Sequence, residues 1–178
     1  MFYQKHKVMN LNQLDEFLAA QIEARTPSEG IDAMCKHAPA NRLVWWGCLS
    51  AWSIWRPTPP PHEDAALAIA ARWVFQPSDD LRRAAALQAK ADTAGLCKWL
   101  LQAVQYSGGQ LKIDDGGIAL PTPDVSGAYT KGFIHNLLAV NPPVERATAS
   151  QNFLQLARQA ITRPMPTAEP TQPTPQLV

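Results

Sequence analysis

The sequence predicts a single all-α domain, a bundle of about seven or eight helices with one short loop or hairpin excursion near residues 110–122. Apolar residues recur at intervals of three and four along most of the chain, which is the spacing of an amphipathic helix. The apolar content is rich in Ala and includes six Trp, whereas the strand-forming residues Val and Ile are modest in number. A chain of 178 residues is also the size of one domain with one core.

Three parts are expected: an N-terminal arm at residues 1–10, a helical domain at 11–162 and a tail at 163–178. The tail has five prolines between Pro164 and Pro175, mixed with Thr and Gln. Its apolar content is too small to offset the entropy lost on ordering, so we expect it to be disordered. The arm lacks the apolar run of a secretory signal.

Two helices are predicted in the first forty residues. The first spans residues 11–24, with Asn10 or Asn12 as its N-cap. The second begins at the run Thr26-Pro-Ser-Glu29, which has the form of a capping box with Pro at the first helical position. It ends before Pro39.

The third helix, predicted over residues 41–55, carries four tryptophans. Trp45 and Trp52 belong to one apolar stripe, with positions 48 and 49, and we interpret this stripe as the core face. Trp46 and Trp55 lie off its centre. These two either flank the core or form an exposed patch that binds another protein, because Trp is enriched at interface hot spots.

The segment Glu63–Gln76 is predicted to be the central helix. Between Ala65 and Phe75 only Arg72 is polar, and a helix that is apolar on all sides is normally interior. It is too short to cross a bilayer, which requires about twenty residues. The prolines of residues 56–61 form an extended connector that leads into it.

The fifth helix is predicted to begin after the N-cap Ser78. Leu87 belongs to its inward face of small and apolar residues, and Arg82 and Arg83 are expected at its solvent edge.

The sixth helix, at residues 96–104, has the cleanest amphipathic pattern in the chain. It is predicted to end at Gly108 and Gly109, where glycine can adopt the left-handed cap conformation. Residues 110–124 then alternate apolar and polar side chains around an Asp-Asp-Gly-Gly turn, which predicts a small hairpin or an ordered loop.

Two further helices complete the domain. One contains four apolar residues at helical spacing, Phe133, Ile134, Leu137 and Leu138. The run Asn141-Pro-Pro143 is predicted to cap and begin the next. The inward face of this last helix lies within Phe153–Ile161.

Several classes of function are not expected. The net charge is +1 with neither sign clustered, so we predict no binding to nucleic acid or to a membrane. The histidines lack metal-ligand spacing, and no phosphate-binding loop or nucleophile elbow occurs. Cys35, Cys48 and Cys97 indicate reduced thiols of a cytoplasmic protein. We therefore predict no metal, no cofactor and no enzymatic activity.

Four segments together resemble a known family: Ala71–Ala85, Ser107–Leu111, Pro121–Pro123 and Phe153–Ala157. It is an uncharacterised bacterial family of small all-helical cytoplasmic proteins found in type VI secretion gene neighbourhoods, beside adaptor chaperones and PAAR-type spike-tip proteins. The resemblance covers residues 40–160. Its motifs are helix ends and a glycine turn, so it implies no catalytic residues.

The resemblance implies a non-enzymatic protein-binding accessory protein, a co-chaperone or adaptor partner in the loading of a type VI secretion effector. The partner is then an adaptor chaperone, the effector or a spike-tip protein. The alternative is an immunity protein that binds and neutralises a cognate toxin. The sequence leaves the oligomeric state open.

Five residues are candidates for binding the partner. Two are the off-stripe tryptophans, and the third begins the rigid proline connector, which loses little entropy when it is covered. The other two are glycines of the loop at residues 108–124, a second possible location. The candidates are Trp46, Trp55, Arg56, Gly108 and Gly109.

Overall fold

The structure, a computed structural model, describes residues 8–91, 95–108, 111–112, 118–119 and 123–166. These residues form eight α-helices and one pair of two-residue strands, which confirms the all-α class. The elements are α1 (Leu11–Ala24), α2 (Pro27–His37), α3 (Ala40–Ile54), α4 (Pro61–Phe75), α5 (Asp79–Ala89), α6 (Lys98–Gln105), β1 (Leu111–Lys112), β2 (Ile118–Ala119), α7 (Pro123–Val140) and α8 (Arg146–Thr162).

Helices α3 and α7 hold the bundle together. One group of helices, α1, α2 and α8, packs on one side of them, and a second group, α4, α5 and α6, packs on the other. Helix α3 contacts α4, α6, α7 and α8, and α7 contacts α2, α3, α6 and α8. The two groups therefore share one core that runs through α3 and α7.

The prediction that Glu63–Gln76 forms the central helix is wrong. Helix α4 packs on α3, α5 and α6, but Ala65, Ala68 and Arg72 on its other side are exposed. Alanine counts as apolar in a helical pattern, yet it has little surface to bury, so an exposed alanine face costs little. The central position belongs to α3.

Helix starts agree with the predictions where the capping side chain lies next to the helix. The Asn10 side chain accepts from the Gln13 amide at 2.9 Å, and the Gln13 side chain accepts from the Asn10 amide at 3.1 Å, which completes a capping box for α1. The Ser78 hydroxyl caps α5. The predicted capping box at Thr26 is wrong, because the Thr26 hydroxyl donates to the Gln21 side chain instead.

Two other helix ends differ from the predictions. Helix α6 ends with Tyr106 as its C-cap at φ −93°, ψ 11°, so Gly108 does not supply a left-handed cap. Helix α8 begins at Arg146, with Glu145 as its N-cap. Residues 142–145 form a turn before it, since the Glu145 amide donates to the Pro142 carbonyl at 2.9 Å.

The predicted excursion near residues 110–122 is a hairpin, in which antiparallel strands pair Leu111 with Ala119 and Lys112 with Ile118. The turn between them lies outside the described residues, as does most of the arm and tail. Met165, at the start of the predicted tail, is half-buried and packs on the core. The predicted disorder of the tail from residue 167 onward falls outside the described residues.

Candidate functional site

Trp46 is not a surface residue, so its prediction as a partner-binding residue is wrong. Its side chain is 0% exposed, and its indole Nε1–H donates to the Phe153 carbonyl of α8 at 2.8 Å. A buried indole that has found an acceptor inside the fold is a core residue. Trp46 joins α3 to α8.

Among the other candidates, Trp55 and Arg56 lie apart from Gly108. Trp55 is half-buried as the C-cap of α3, and Arg56 follows it with an exposed side chain. Gly108 lies after the end of α6, where its carbonyl accepts from the Arg82 guanidinium. Gly109 lies outside the described residues. Arg56 precedes the start of α4, and the start of α4 packs beside the start of α6. Gly108 follows the end of α6, so it lies at the opposite end of this helix pair.

The structure shows a different aromatic surface on α3, which we term the aromatic ridge: Trp45 and Trp52 of α3 with Phe75 of α4. The ring centroids of Trp45 and Trp52 are 5.8 Å apart in an edge-to-face arrangement. Those of Trp45 and Phe75 are 5.9 Å apart. Both tryptophans are half-buried and Phe75 is 37% exposed. The ridge is therefore an ordered aromatic cluster that remains accessible to solvent.

The position of the ridge follows from the neighbours of α3. Helix α8 contacts α3 through Trp46, α4 contacts it through Trp45, and α6 packs on the face that carries Gly47. A side chain on Gly47 would meet Leu100 of α6, because a Cβ there lies 2.5 Å from the Leu100 Cδ1. Helix α3 also contacts α7. The half-buried residues Trp45, Leu49 and Trp52 lie on the remaining side of α3, and the ridge lies there, beside the end of α4.

The sequence contained a signal that assigns the two faces of α3. Both candidate stripes are apolar, so the helical period alone does not distinguish them. The small residues Gly47, Ser50 and Ala51 all lie on the buried face, where neighbouring helices approach closely. A face of small residues marks the crowded side of a helix, and this places Trp45 on the opposite side.

Arginines lie at the margins of the ridge. Arg72 is exposed one turn before Phe75 on α4. Arg42, one turn before Trp45 on α3, donates from one guanidinium nitrogen to the Ala160 carbonyl at 2.7 Å and the Arg163 carbonyl at 2.6 Å. It therefore satisfies free carbonyls at the end of α8. A ligand on the ridge meets aromatic rings with positive charge beside them.

Glu63 is a buried charged residue that the sequence analysis did not single out. It is 3% exposed, and its carboxylate accepts from the Leu96 amide at 2.7 Å and the Cys97 amide at 2.8 Å. These amides precede α6, so the carboxylate caps that helix from a distant segment. Gly95 has φ +56°, and a Cβ at this position would overlap the Glu63 Oε1. Only glycine fits beside this carboxylate. The role of Glu63 is structural.

Two predictions for α5 are wrong. Arg82 was expected at the solvent edge but is 9% exposed, because its guanidinium binds the Asp79 carboxylate and the Gly108 carbonyl. Leu87 was expected on the inward face but is 76% exposed. The helix is rotated so that Ala85, which is fully buried, packs inward and the arginine links α5 to the segment after α6.

The three cysteines are free thiols, in agreement with the prediction of reduced residues. Burial raises the pKa of Cys48 to about 12. Burial, and then the negative charge of Glu63, raise the pKa of Cys97. Both thiols therefore stay protonated at neutral pH, and a protonated thiol is a poor nucleophile.

Cys35 lies in a shallow groove between α2 and α7, beside the Lys131 to Asp32 ion pair at 2.7 Å. Burial raises the pKa of Cys35 to about 12, although the positive charge of Lys131 opposes the shift. His37 does not activate this thiol, since its Nδ1 already accepts from the Met9 amide at 3.2 Å. The groove therefore lacks an activated nucleophile.

In residues 8–91, 95–108 and 123–166, together with both short strands, no three His, Cys, Asp or Glu residues group closely enough to hold a metal ion. None of the helices in this part of the chain combines the length and the apolar character needed to cross a lipid bilayer.

Comparison with known proteins identifies one family. The model of a family of unknown function, DUF6931, matches residues 17–161. No curated protein matches the chain significantly, and no solved structure does so.

Proposed function

The chain belongs to the DUF6931 family, and we propose that it is a non-enzymatic, cytoplasmic protein-binding accessory protein that helps to load a type VI secretion effector. It acts as a co-chaperone or adaptor partner, and its ligand is an adaptor chaperone, the effector or a spike-tip protein. The observation that supports this proposal is the aromatic ridge. The resemblance of the sequence to proteins of type VI secretion gene neighbourhoods supplies the context.

The ridge has the properties of an interface hot spot. Tryptophan side chains contribute more to binding energy than most residues, and they have only two side-chain torsions to immobilise. Contact with Trp52 and Phe75 already holds Trp45 on both sides, so little further entropy is lost when a partner covers it. The exposed Arg72 beside the ridge favours a partner segment that combines apolar and acidic side chains.

Co-purification from the native host tests this function. The tagged full-length chain should recover an adaptor chaperone, an effector or a spike-tip protein. Trp45→Ala and Trp52→Ala should each weaken the association at least about fivefold, which corresponds to about 1 kcal/mol. The matched control is Leu87→Ala, which removes an exposed apolar side chain on α5, away from the ridge.

Other outcomes have clear meanings. Recovery of a toxin instead of a secretion adaptor would support the immunity function. Full retention of the partner by both ridge variants, in folded protein, would place the interface elsewhere on the surface. Thermal unfolding of each variant, measured on the same preparations, separates loss of binding from loss of fold.

A further inference from the structure

The chain leaves α8 beside the aromatic ridge. Arg42, in the first turn of α3, holds the carbonyls of Ala160 and Arg163 at the end of α8. Arg163 then has φ −81° and ψ 151°, which is close to the polyproline II conformation. Met165 is half-buried against the core. The residues that follow α8 therefore start at the N-terminal end of α3 with an extended backbone.

The ridge begins within one helical turn of this point. Trp45 is three residues after Arg42, and Trp52 is ten residues after it, about 15 Å along the helix axis. Viewed down the helix axis, the directions of both tryptophans lie within a quarter turn of the direction of Arg42. Phe75 packs on Trp45, so the end of α4 lies at the same end of α3.

The composition of the segment after α8 suits an aromatic surface. Residues 164–178 contain five prolines, including the Pro170-Thr-Gln-Pro173 spacing. Proline-rich segments in the polyproline II conformation bind grooves lined by aromatic rings, and they lose little entropy because the extended form is already preferred. The one charged side chain of this segment is Glu169, which is opposite in sign to Arg72.

The length of the segment is sufficient. Residues 167–178 span about 37 Å in the polyproline II conformation, more than twice the length of α3 between Arg42 and Trp52. A tether this short keeps the local concentration of the segment in the millimolar range, so weak contacts are enough for docking.

We infer that residues 164–178 of this chain dock in extended form along the aromatic ridge formed by Trp45, Trp52 and Phe75. Three observations support the contact: the position where the chain leaves α8, the length of the segment, and the solvent-accessible rings of the ridge. The tail competes with an external partner for the same rings; this regulatory consequence rests on the proposed function, whereas the contact itself does not.

Paramagnetic relaxation in the full-length protein tests the contact. A nitroxide is attached at Thr174→Cys in a Cys35→Ala background, in which the remaining cysteines are fully buried. The indole N–H signals of Trp45 and Trp52 should be lost when the nitroxide is oxidised and recovered when it is reduced. Trp99 provides a control in the same molecule, because it packs on α7, across the core from the ridge.

A matched chain with Pro170→Gly and Pro173→Gly in the same labelled protein should retain the Trp45 and Trp52 signals, because proline favours the polyproline II conformation and glycine does not. Unaffected Trp45 and Trp52 signals in the parent chain would overturn the inference. Equal losses at Trp99 would also overturn it, since they would show contact without specificity.

Mixing identifies the occupant. If nitroxide-labelled chains without isotope broaden the ridge signals of isotope-labelled, nitroxide-free chains, the docked segment comes from a second copy and the inference is wrong. The relaxation result does not depend on partner recovery. The two proposals therefore fail separately: relaxation reports the tail contact, and co-purification reports the partner.

Discussion

Replacing Trp46 by Ala should destabilise the protein far more than the same change at the adjacent Trp45. Trp46 is 0% exposed, and a buried indole removes roughly 200 Å² from water, which corresponds to about 5 kcal/mol. Measured losses for Trp→Ala in protein cores are about 3–5 kcal/mol, and the indole hydrogen bond to the Phe153 carbonyl is lost as well. The half-buried Trp45 should cost about 1–2 kcal/mol, because part of its ring is already in water.

Urea unfolding followed by far-UV circular dichroism measures both losses as shifts of the midpoint at a constant slope. Fluorescence is a poor probe here because both variants remove a fluorophore. Trp46→Phe keeps an aromatic ring in the core but removes the N–H donor, so it should lose about 1–3 kcal/mol and remain folded. It therefore provides a measurable value if Trp46→Ala does not fold.

Partner binding should show the reverse order. Trp45→Ala should weaken association at least about fivefold, whereas folded Trp46→Phe should bind as the unchanged protein does. Equal stability losses at the two positions, or a Trp46→Ala loss below about 1 kcal/mol, would refute the assignment of the two faces of α3.

Two further predictions concern buried polar contacts. Glu63→Ala should lower the free energy of unfolding by about 1–3 kcal/mol, since it leaves the amides before α6 without an acceptor. Glu63→Gln keeps one acceptor, so its free energy of unfolding should fall by less. Hydrogen exchange at the start of α6 should become faster in both variants. Burial, followed by the charge of Lys36, lowers the pKa of His37. The unfolded chain therefore binds this proton more readily, so stability should fall as the pH drops below about 6.5 and level off below the folded pKa. Urea unfolding across this pH range should show a smaller fall in His37→Gln than in the unchanged protein.

The start of a helix was predictable where a side chain acts on its own backbone. Asn10 bonds to an amide three residues away, and Ser78 bonds to the Leu81 amide. Such contacts depend on local geometry alone, so a short run of sequence contains all the participants. The start of α1 followed from this kind of signal.

Contacts between distant segments were not predictable in the same way. The Arg82 side chain is buried because it reaches Gly108, and Glu63 is buried because it reaches the amide of Cys97. Each residue taken alone has the pattern of a solvent-exposed charge at a helix start. The packing of α4 and α5 on α6 brings these distant partners into reach, and no periodicity in the chain specifies that packing.

The sequence placed four tryptophans on α3, but it did not show which of them are buried. That these tryptophans bind a partner stays a prediction. Their division between core and surface was reversed for Trp45 and Trp46, because adjacent residues in a helix differ by about 100° and both stripes are apolar. The distinction depends on which face α6 approaches, and that approach occurs at Gly47.

The arrangement of the helices also affects when the core is completed during translation. Helices α1 and α2 complete their core with α8, which the ribosome synthesises after the other seven described helices. Leu14 and Leu18 of α1 are both 0% exposed in the folded chain, and α1 packs on α8 as well as on α2, so this part of the core is incomplete until α8 has been synthesised. Folding during translation usually begins with the N-terminal part of a chain, whereas the N-terminal part of this core is completed by the C-terminal helix. A ribosome that stalls before Arg146 thus leaves a nascent chain with apolar helices that attract general chaperones and proteases.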